Sequence, residues 1–358
     1  MGGNRLTGRY AGLLRQQTSS SVYDSAEADL AAQFRSKLLA WYETQRRDLP
    51  WRQTRDPYAV WISEIMLQQT RVAAVIPYYE RFLARFPTFR ALAEAPETVL
   101  LASWAGLGYY SRARNLQKAA RLLCQAGEFP AVYEEIRRLP GIGDYTAAAV
   151  ASIAFDLPHA VLDGNVLRVL SRVLDDDTDI ASAAGRKRFA AAADKLLDRK
   201  QPGIFNQAMM ELGATVCLPK NPQCLLCPVS SLCKARAEGR QNQLPVKVSK
   251  QETVRETRTV FWIERRGKLL AWQRPSSSRL MPGFWELPEP TQLPNTAAGK
   301  KLGTFRHGIT FHDYVFEVRQ AAPPQNRGPC EWLAIEQLNS LPASTILKKA
   351  RELVKSLD

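Results

Sequence analysis

Residues 139–170, LPGIGDYTAAAVASIAFDLPHAVLDGNVLRVL, combine a proline, two glycines and an alanine-rich run in an order that leaves the backbone few choices. Pro140 stops whatever helix runs through Ile136 to Leu139. Gly141 and Gly143 then allow backbone angles and close approach that a side chain would forbid. Good helix formers fill the run from Tyr145 to Phe155, so the turn amides are expected at a helix N-terminus, where free N–H groups make an anion site. After a short apolar connection, Asp163 opens a second periodic run through Val166, Val169 and Leu170. A helix N-cap accounts for such an aspartate. The functional alternative is a carboxylate delivered to the sugar of a nucleic acid whose phosphate the hairpin amides clamp.

The charge balance bears on that choice. Lys and Arg outnumber Asp and Glu by 49 to 35, a net charge of +14, which suits a polyanion. From Thr257 onward there are 15 basic and 9 acidic residues, net +6, leaving +8 for the first 256, so neither half is an acidic passenger. At 358 residues the chain can hold two domains with cores of their own. No run of 18 apolar residues is present, so no membrane span is expected. Residues 1–27 carry no apolar signal-peptide core and too little apolar surface to fold alone, and are expected to be a disordered tail. The chain is accordingly expected to be intracellular and cytoplasmic; it is also expected to be a monomer, and basic charge alone does not separate DNA from RNA or anionic lipid as its partner. With only His159, His307 and His312 present, acid–base work in the first domain falls to carboxylates.

Residues 28–238 are expected to be helical, punctuated by Pro and Gly. Phe34 to Tyr42 predicts a first amphipathic helix, and the turn Arg47-Asp48-Leu49-Pro50-Trp51-Arg52 follows it. A long helix is expected from Pro57 through Phe86, in which Val60, Ile65, Leu67, Val72 and Val75 keep helical spacing. Glu64 stands in its most apolar part, among Trp61, Ile62, Ile65, Met66 and Leu67. Such a glutamate is ordinarily a surface residue between stripes. Held among apolar neighbours, however, its carboxyl loses solvation, its pKa rises and it becomes a proton donor near neutrality. With Asp163 it would form the carboxylate pair that cleaves glycosidic bonds. The stretch AGLGYYSRAR from Ala105 interleaves glycine, aromatics and Arg112 and Arg114, which suits a wedge into a base stack flanked by phosphate contacts, although Tyr110 equally suits packing.

Cys217, Cys224, Cys227 and Cys233 lie within 17 residues of a chain with two other cysteines, a metal-ligand pattern that zinc and an iron–sulfur cluster both satisfy. Residues 239–256 are polar and aperiodic and predict a linker. Residues 257–358 predict an α+β domain: a hairpin of 259–263 with 268–273 around Arg265-Arg266-Gly267, a strand over 314–318 and a closing helix over 345–357.

WISEIMLQQT, GLGYYSRAR, LPGIGDYT, LDGNVLRVL, FNQAMMELG and the cysteine spacing together resemble the adenine DNA glycosylase (MutY) family of the helix-hairpin-helix base-excision superfamily, closely over residues 49–233. The resemblance implies a mostly α helix-hairpin-helix glycosylase domain with a four-cysteine iron–sulfur loop, followed by an α+β Nudix-like domain. It implies a monofunctional enzyme that excises adenine opposite 8-oxoguanine or guanine from double-stranded DNA in base excision repair. Glu64 would protonate adenine, Asp163 would stabilise the sugar cation, and Tyr145 and Asn165 would support them. Arg47, Leu49, Trp51, Arg52 and Gln207 resemble the adenine pocket. Gln69, Thr70, Leu107 and Tyr109 resemble the residues that fill the gap and grip the strand near 8-oxoguanine, with Gly141 and Gly143 at the phosphate. The four cysteines would hold a [4Fe-4S] cluster. In the related endonuclease III type, a Schiff-base lysine stands where this chain has Tyr145, and no lysine occurs between Lys118 and Lys187, which disfavours lyase chemistry. In the C-terminal domain no glutamate-rich helix follows Gly283, so a reader of 8-oxoguanine is expected there rather than a hydrolase. Where the family reads the lesion with a Phe-Ser-His loop, this chain has Ile309, Thr310 and Phe311, then His312. The competing readings are a mismatch glycosylase for thymine or uracil and a catalytically silent lesion-binding protein. FNQAMMELG and LQQT speak against the first, and the presence of both Glu64 and Asp163 against the second.

Overall fold

The computed structural model describes residues 10–248, 254–275, 277–278, 281–309, 312–339 and 341–357. The chain divides into two compact units, one built from 1–65 with 129–248 and the other from 66–128 with 249–358. The helical region expected as one domain over 28–238 is therefore shared between them.

The first unit contains α1 (Tyr10–Gln45), most of α2 (Pro57–Leu67) and a run of later helices. α1 starts inside the segment expected to be a disordered tail: from Tyr10 onward only Gly12 interrupts a proline-free run, so nothing in the backbone halts a helix. Its Phe34, Leu38 and Tyr42 are buried at helical spacing, as the amphipathic pattern required. The helix expected to run unbroken from Pro57 breaks after α2, where Gln69 takes a left-handed φ of +57°, and resumes as α3 (Val72–Arg85). Apolar spacing continues across this break, so periodicity alone does not reveal it.

α3 opens the second unit and is followed by α4 (Phe89–Glu94), α5 (Glu97–Trp104) and α6 (Ser111–Ala126). Phe82 of α3 packs edge-on against Phe86 and Trp104, with ring centroids at 4.9 and 5.8 Å. On α6, Gln117 donates from Nε2 to the carbonyls of Leu92 and Ala95, tying α4 to it. The chain then re-enters the first unit through α7 (Tyr133–Arg138), α8 (Asp144–Phe155), α9 (Gly164–Leu174), α10 (Ala183–Leu196), α11 (Pro202–Thr215) and the short α12 (Lys234–Ala237). α11 lies against both α8 and α9 at glycines: a Cβ at Gly203 would meet the Ser152 carbonyl oxygen at 2.5 Å, and one at Gly213 would meet Asn165 Cβ at 2.5 Å. Part of the expected linker is docked. Leu244 is buried, its carbonyl accepts from Arg172 Nε, and Ile180 N–H donates to the Val246 carbonyl.

In the C-terminal module, β1 (Val254–Trp262) pairs in parallel with β6 (His312–Gln320), which pairs antiparallel with β5 (Lys301–Ile309). A second sheet holds β2 (Glu264–Arg265), β3 (Lys268–Gln273), β4 (Trp285–Glu286) and β7 (Cys330–Ala334). The expected hairpin is thus made by β2 and β3, around a turn with φ of +50° at Arg266 and +70° at Gly267, while β1 crosses to the other sheet. α13 (Thr345–Lys355) closes the module, its Ile346, Leu347 and Ala350 entering a core with Trp262, Trp285 and Phe316.

Phe82 is 1 % exposed, and Phe82→Ala leaves a cavity between α3 and α5. The expected loss is about 3–5 kcal/mol of unfolding free energy, checked by urea denaturation of the full chain.

Candidate active site

Glu64 sits on α2 where Trp61, Ile62, Ile65 and Met66 are all buried, and is itself 4 % exposed. Burial pushes its carboxyl from the ordinary 4.5 up to about 7; the Tyr145 hydrogen bond pulls against the rise, Asp163 adds to it and Arg52 opposes it. The Tyr145 hydroxyl donates to Glu64 Oε2 at 2.6 Å. Burial and the neighbouring carboxylates in turn hold Tyr145 well above the ordinary tyrosine range, so it stays a neutral donor.

Asp163 meets both expectations at once. It is the N-cap of α9, with Oδ1 accepting from Val166 N–H at 2.7 Å, while Oδ2 accepts from Asn165 Nδ2 at 2.8 Å. Burial raises its pKa, and the Val166 and Asn165 donors work against that rise. With these donors on its oxygens, Asp163 is the better placed of the pair to carry negative charge. Asn165 is held from its far side by Arg168, whose Nη2 donates to Asn165 Oδ1 and to the Gly213 carbonyl and whose Nε donates to the Cys217 carbonyl. One turn on, the buried Arg172 donates to the carbonyls of Leu218 and Pro219 and to Cys217 Sγ. Upstream, Asn206 fixes the connection into Asp163 by donating to the His159 carbonyl and accepting from Val161 N–H.

Arg47 and Arg52, expected to line a base pocket, converge on a residue that the sequence pattern did not single out. Glu211, fully buried on α11, accepts from Arg47 Nε and Nη2 at 2.8 and 2.7 Å and from Arg52 Nη2 at 2.7 Å. Burial would raise its pKa, but the two guanidiniums hold it at about 2. Arg52 Nη1 also donates to the Arg47 carbonyl, closing the 47–52 turn on which Leu49 and Trp51 are buried. Gln207, one turn before Glu211, accepts from the Tyr42 hydroxyl at 3.2 Å. Of the expected pocket residues, Arg47 and Arg52 therefore meet at Glu211, whose signal was the glutamate inside FNQAMMELG.

At the hairpin, Gly141 has φ of +81°, as only glycine readily adopts. Gly143 is extended, with φ of −99°, and caps α8 with open space where a Cβ would be, so it leaves room for a ligand rather than relieving strain. Asp144 beside it pairs with Arg137.

In the second unit, Gln69 and Tyr109 are both exposed and both left-handed, at φ of +57° and +46°, while Leu107 and Tyr110 are buried at 6 % each. Thr70 Oγ1 donates to the Gln68 carbonyl. Arg112 and Arg114 are not free for phosphates as expected. Arg112, 9 % exposed, donates to the carbonyls of Met66, Gln68, Leu107 and Gly108, and Arg114 pairs with Glu97. Arginines on a buried helical face, like Arg112, Arg168 and Arg172, were the available signal for such internal clamps. Thr310 lies outside the described residues.

Cys217, Cys224, Cys227 and Cys233 are all unpaired as disulfides and line one cavity with Val169, Leu212 and Val229. Among the described residues, no group of three or more His, Cys, Asp or Glu is disposed to hold a metal ion. The donor chemistry nevertheless suits a cationic centre. Burial, opposed by a backbone hydrogen bond at Val229 and joined by the other three sulfurs, pushes the Cys227 thiol up to about 12, so four thiolates here need positive charge among them.

The first unit thus carries a buried carboxyl whose pKa burial pushes up to about 7, a second carboxyl that caps a helix, and the glycine hairpin. Residues 62–195 match the family described as HhH-GPD superfamily base excision DNA repair protein. The chain is 36 % identical to the adenine DNA glycosylase of Homo sapiens over 434 residues, covering 96 % of this chain and 79 % of that protein. It is 39 % identical over 253 residues to that of Buchnera aphidicola subsp. Baizongia pistaciae, covering 67 % of this chain and 72 % of that one. Among solved structures, a thermostable thymine-DNA glycosylase superposes with a TM-score of 0.55 at 31 % identity, over 59 % of this chain and 98 % of that one. The chain belongs to the adenine DNA glycosylase family.

Because folded Glu64 holds its proton to about pH 7 and the unfolded chain releases it near 4.5, stability present at low pH is lost as pH rises through that window. The loss is on the order of 3 kcal/mol, and Glu64→Gln abolishes it. The variant is expected to gain melting temperature relative to wild type between about pH 5 and pH 8, checked by thermal unfolding at both values.

Proposed function

We propose that this adenine DNA N-glycosylase hydrolyses the N-glycosidic bond of adenine paired with 8-oxoguanine or guanine in double-stranded DNA, and leaves the strand intact. The observation that supports the reading is a pair of carboxyls in different surroundings, Glu64 buried among apolar side chains with a Tyr145 donor and Asp163 with both oxygens accepting from Val166 and Asn165.

The target nucleotide leaves the stack and enters the first unit, since carboxyls as buried as Glu64 and Asp163 cannot reach a base that stays stacked in the duplex. Glu64 gives its proton to N7 of adenine, and the C1′–N9 bond breaks with its electron pair passing to the base. Asp163 stabilises the oxocarbenium ion left on the sugar. Water adds to C1′ and its proton returns to a carboxylate, which restores the site. Tyr145 supplies a phenol where a Schiff-base chemistry would need an amine, so no step opens the sugar. Arg47, Leu49, Trp51, Arg52 and Gln207 form the adenine pocket. The turns carrying Gln69, Thr70, Leu107 and Tyr109 meet the gap and the opposite strand, and the amides around Gly141 and Gly143 take a phosphate.

Cys217, Cys224, Cys227 and Cys233 would hold a [4Fe-4S] cluster, which would supply the positive centre that their crowded, buried sulfurs require and fix the 217–233 loop. Iron and acid-labile sulfide in equal amounts are expected in anaerobically purified protein, and Cys224→Ser is expected to lose both.

The C-terminal module would act as a Nudix-like reader of the opposite base. No α-helix is described between Val254 and Ser344, and Glu286 is buried against Arg274 Nε at 2.8 Å, which leaves no acidic helix to hold magnesium for pyrophosphate hydrolysis. The likeness to a thymine-DNA glycosylase keeps a second reading, thymine release from mismatches, open to the same experiment.

That experiment is single-turnover base release from duplexes with one A:8-oxoguanine, A:G or T:G pair. Adenine is expected to be released from the first two, with strand breaks only after alkali. Glu64→Gln and Asp163→Asn are each expected to slow release by at least about a hundredfold. Thymine release without adenine release would establish the second reading instead.

A further inference from the structure

Phe284 is 0 % exposed, yet it belongs to neither of the two apolar cores described for the C-terminal module, although its neighbour Trp285 belongs to one. Its ring instead meets Tyr110 at the start of α6, with centroids 4.1 Å apart and planes tilted by 52°. Two residues earlier, the Pro282 carbonyl accepts from Arg114 Nη2 at 2.7 Å, and Arg114 is itself held by Glu97. The turn that presents these groups is stiff. Met281 and Gly283 have φ of +49° and +77°, and the turn is tied to the end of β3 by hydrogen bonds from Gly283 N–H to the Arg274 carbonyl and from Arg274 N–H to the Phe284 carbonyl.

What this turn touches is the root of the exposed aromatic. Tyr109 precedes Tyr110 directly and stands 54 % exposed in a left-handed conformation that costs a non-glycine residue energy to keep. Arg112, between Tyr110 and Arg114, gathers the carbonyls of Gln68, Leu107 and Gly108 and so binds the Gln69 turn to the Tyr109 turn. The first turn of α6 is thus gripped on one side by the C-terminal module and on the other grips both turns assigned to the DNA gap.

We propose that the 281–284 turn is a latch, and that Phe284 and Arg114 are positioning residues through which the C-terminal module fixes Tyr109 and Gln69 for DNA. The module then does more than contact the opposite base: its docking sets whether the wedge is in place. This rests on the assignment of Tyr109 and Gln69 to the DNA gap made under the proposed function.

The test is amide hydrogen exchange of the full, DNA-free chain, followed by duplex affinity. In Phe284→Ala the amides of 106–110 are expected to exchange at least about tenfold faster, while those of β3 and β6 keep wild-type rates. Phe284→Leu is expected to restore most of the protection. Arg114→Ala, which leaves the buried ring in place, is expected to loosen the same segment. Affinity for an A:8-oxoguanine duplex should fall about tenfold in Phe284→Ala, with the effect on affinity exceeding that on base release at saturating protein. Unchanged exchange at 106–110 in both variants overturns the latch, as does equal loosening of β3 and β6 that Phe284→Leu fails to restore. Loosening at 106–110 in a chain whose wild type releases no adenine upholds the latch and removes the proposed function instead.

Discussion

Removing the Glu64 carboxyl from water is the step on which the helical unit turns. An isolated buried carboxylate costs several kcal/mol, so the group keeps its proton and the surroundings are built to tolerate that form. α2 provides the apolar wall and α8 provides Tyr145, whose phenol donates at 2.6 Å without adding a charge. Glu211 shows the opposite solution in the same unit. It is equally buried, but two guanidiniums hold it at about 2 where Glu64 stands at about 7. One glutamate is thereby held as an anion between arginines, and the other has its carboxyl pushed up to about 7. The difference lies in partners, since residue type and burial are shared.

α9 translates this electrostatic arrangement into a rigid one. Asp163 caps it, Asn165 fixes the second carboxylate oxygen, and Arg168 and Arg172 run hydrogen bonds from its buried face to Cys217 and its neighbours. Arg168 therefore links the cysteine loop to Asn165, and Arg172 ties the next turn of α9 to the same loop. Each of these side chains makes several bonds to backbone carbonyls, which have little freedom to yield.

Much of this was legible in the sequence where a local rule forces one outcome. Gly141 needed its left-handed turn, Asp163 its cap, Glu64 its apolar surroundings, and the cysteine spacing brought four sulfurs to one cavity. The rest depended on tertiary partners that no spacing encodes. The break between α2 and α3 is made by Gln69 in a left-handed conformation, next to a Gln68 carbonyl that accepts from Arg112 more than forty residues away. Arg112 and Arg114 look like phosphate ligands by type and become internal clamps by burial and pairing. β1 joins β6 rather than β3, although the nearer strand offers the shorter loop. Glu211 could have been inferred only by asking which anion Arg47 and Arg52 would need once their turn was buried.

The approach of α11 to α9 at Gly213 limits how such a protein can drift. With Asn165 Cβ 2.5 Å from where a methyl group would sit, even alanine at 213 must push the two helices apart at the residue that steadies Asp163. Most single substitutions in a helix weaken a fold by degrees, but this one acts at a backbone approach that has no flexible side-chain end to yield. The spacing of the two helices is therefore set by a hydrogen atom at position 213, and with it the place of Asn165, whose Nδ2 donates to Asp163 Oδ2.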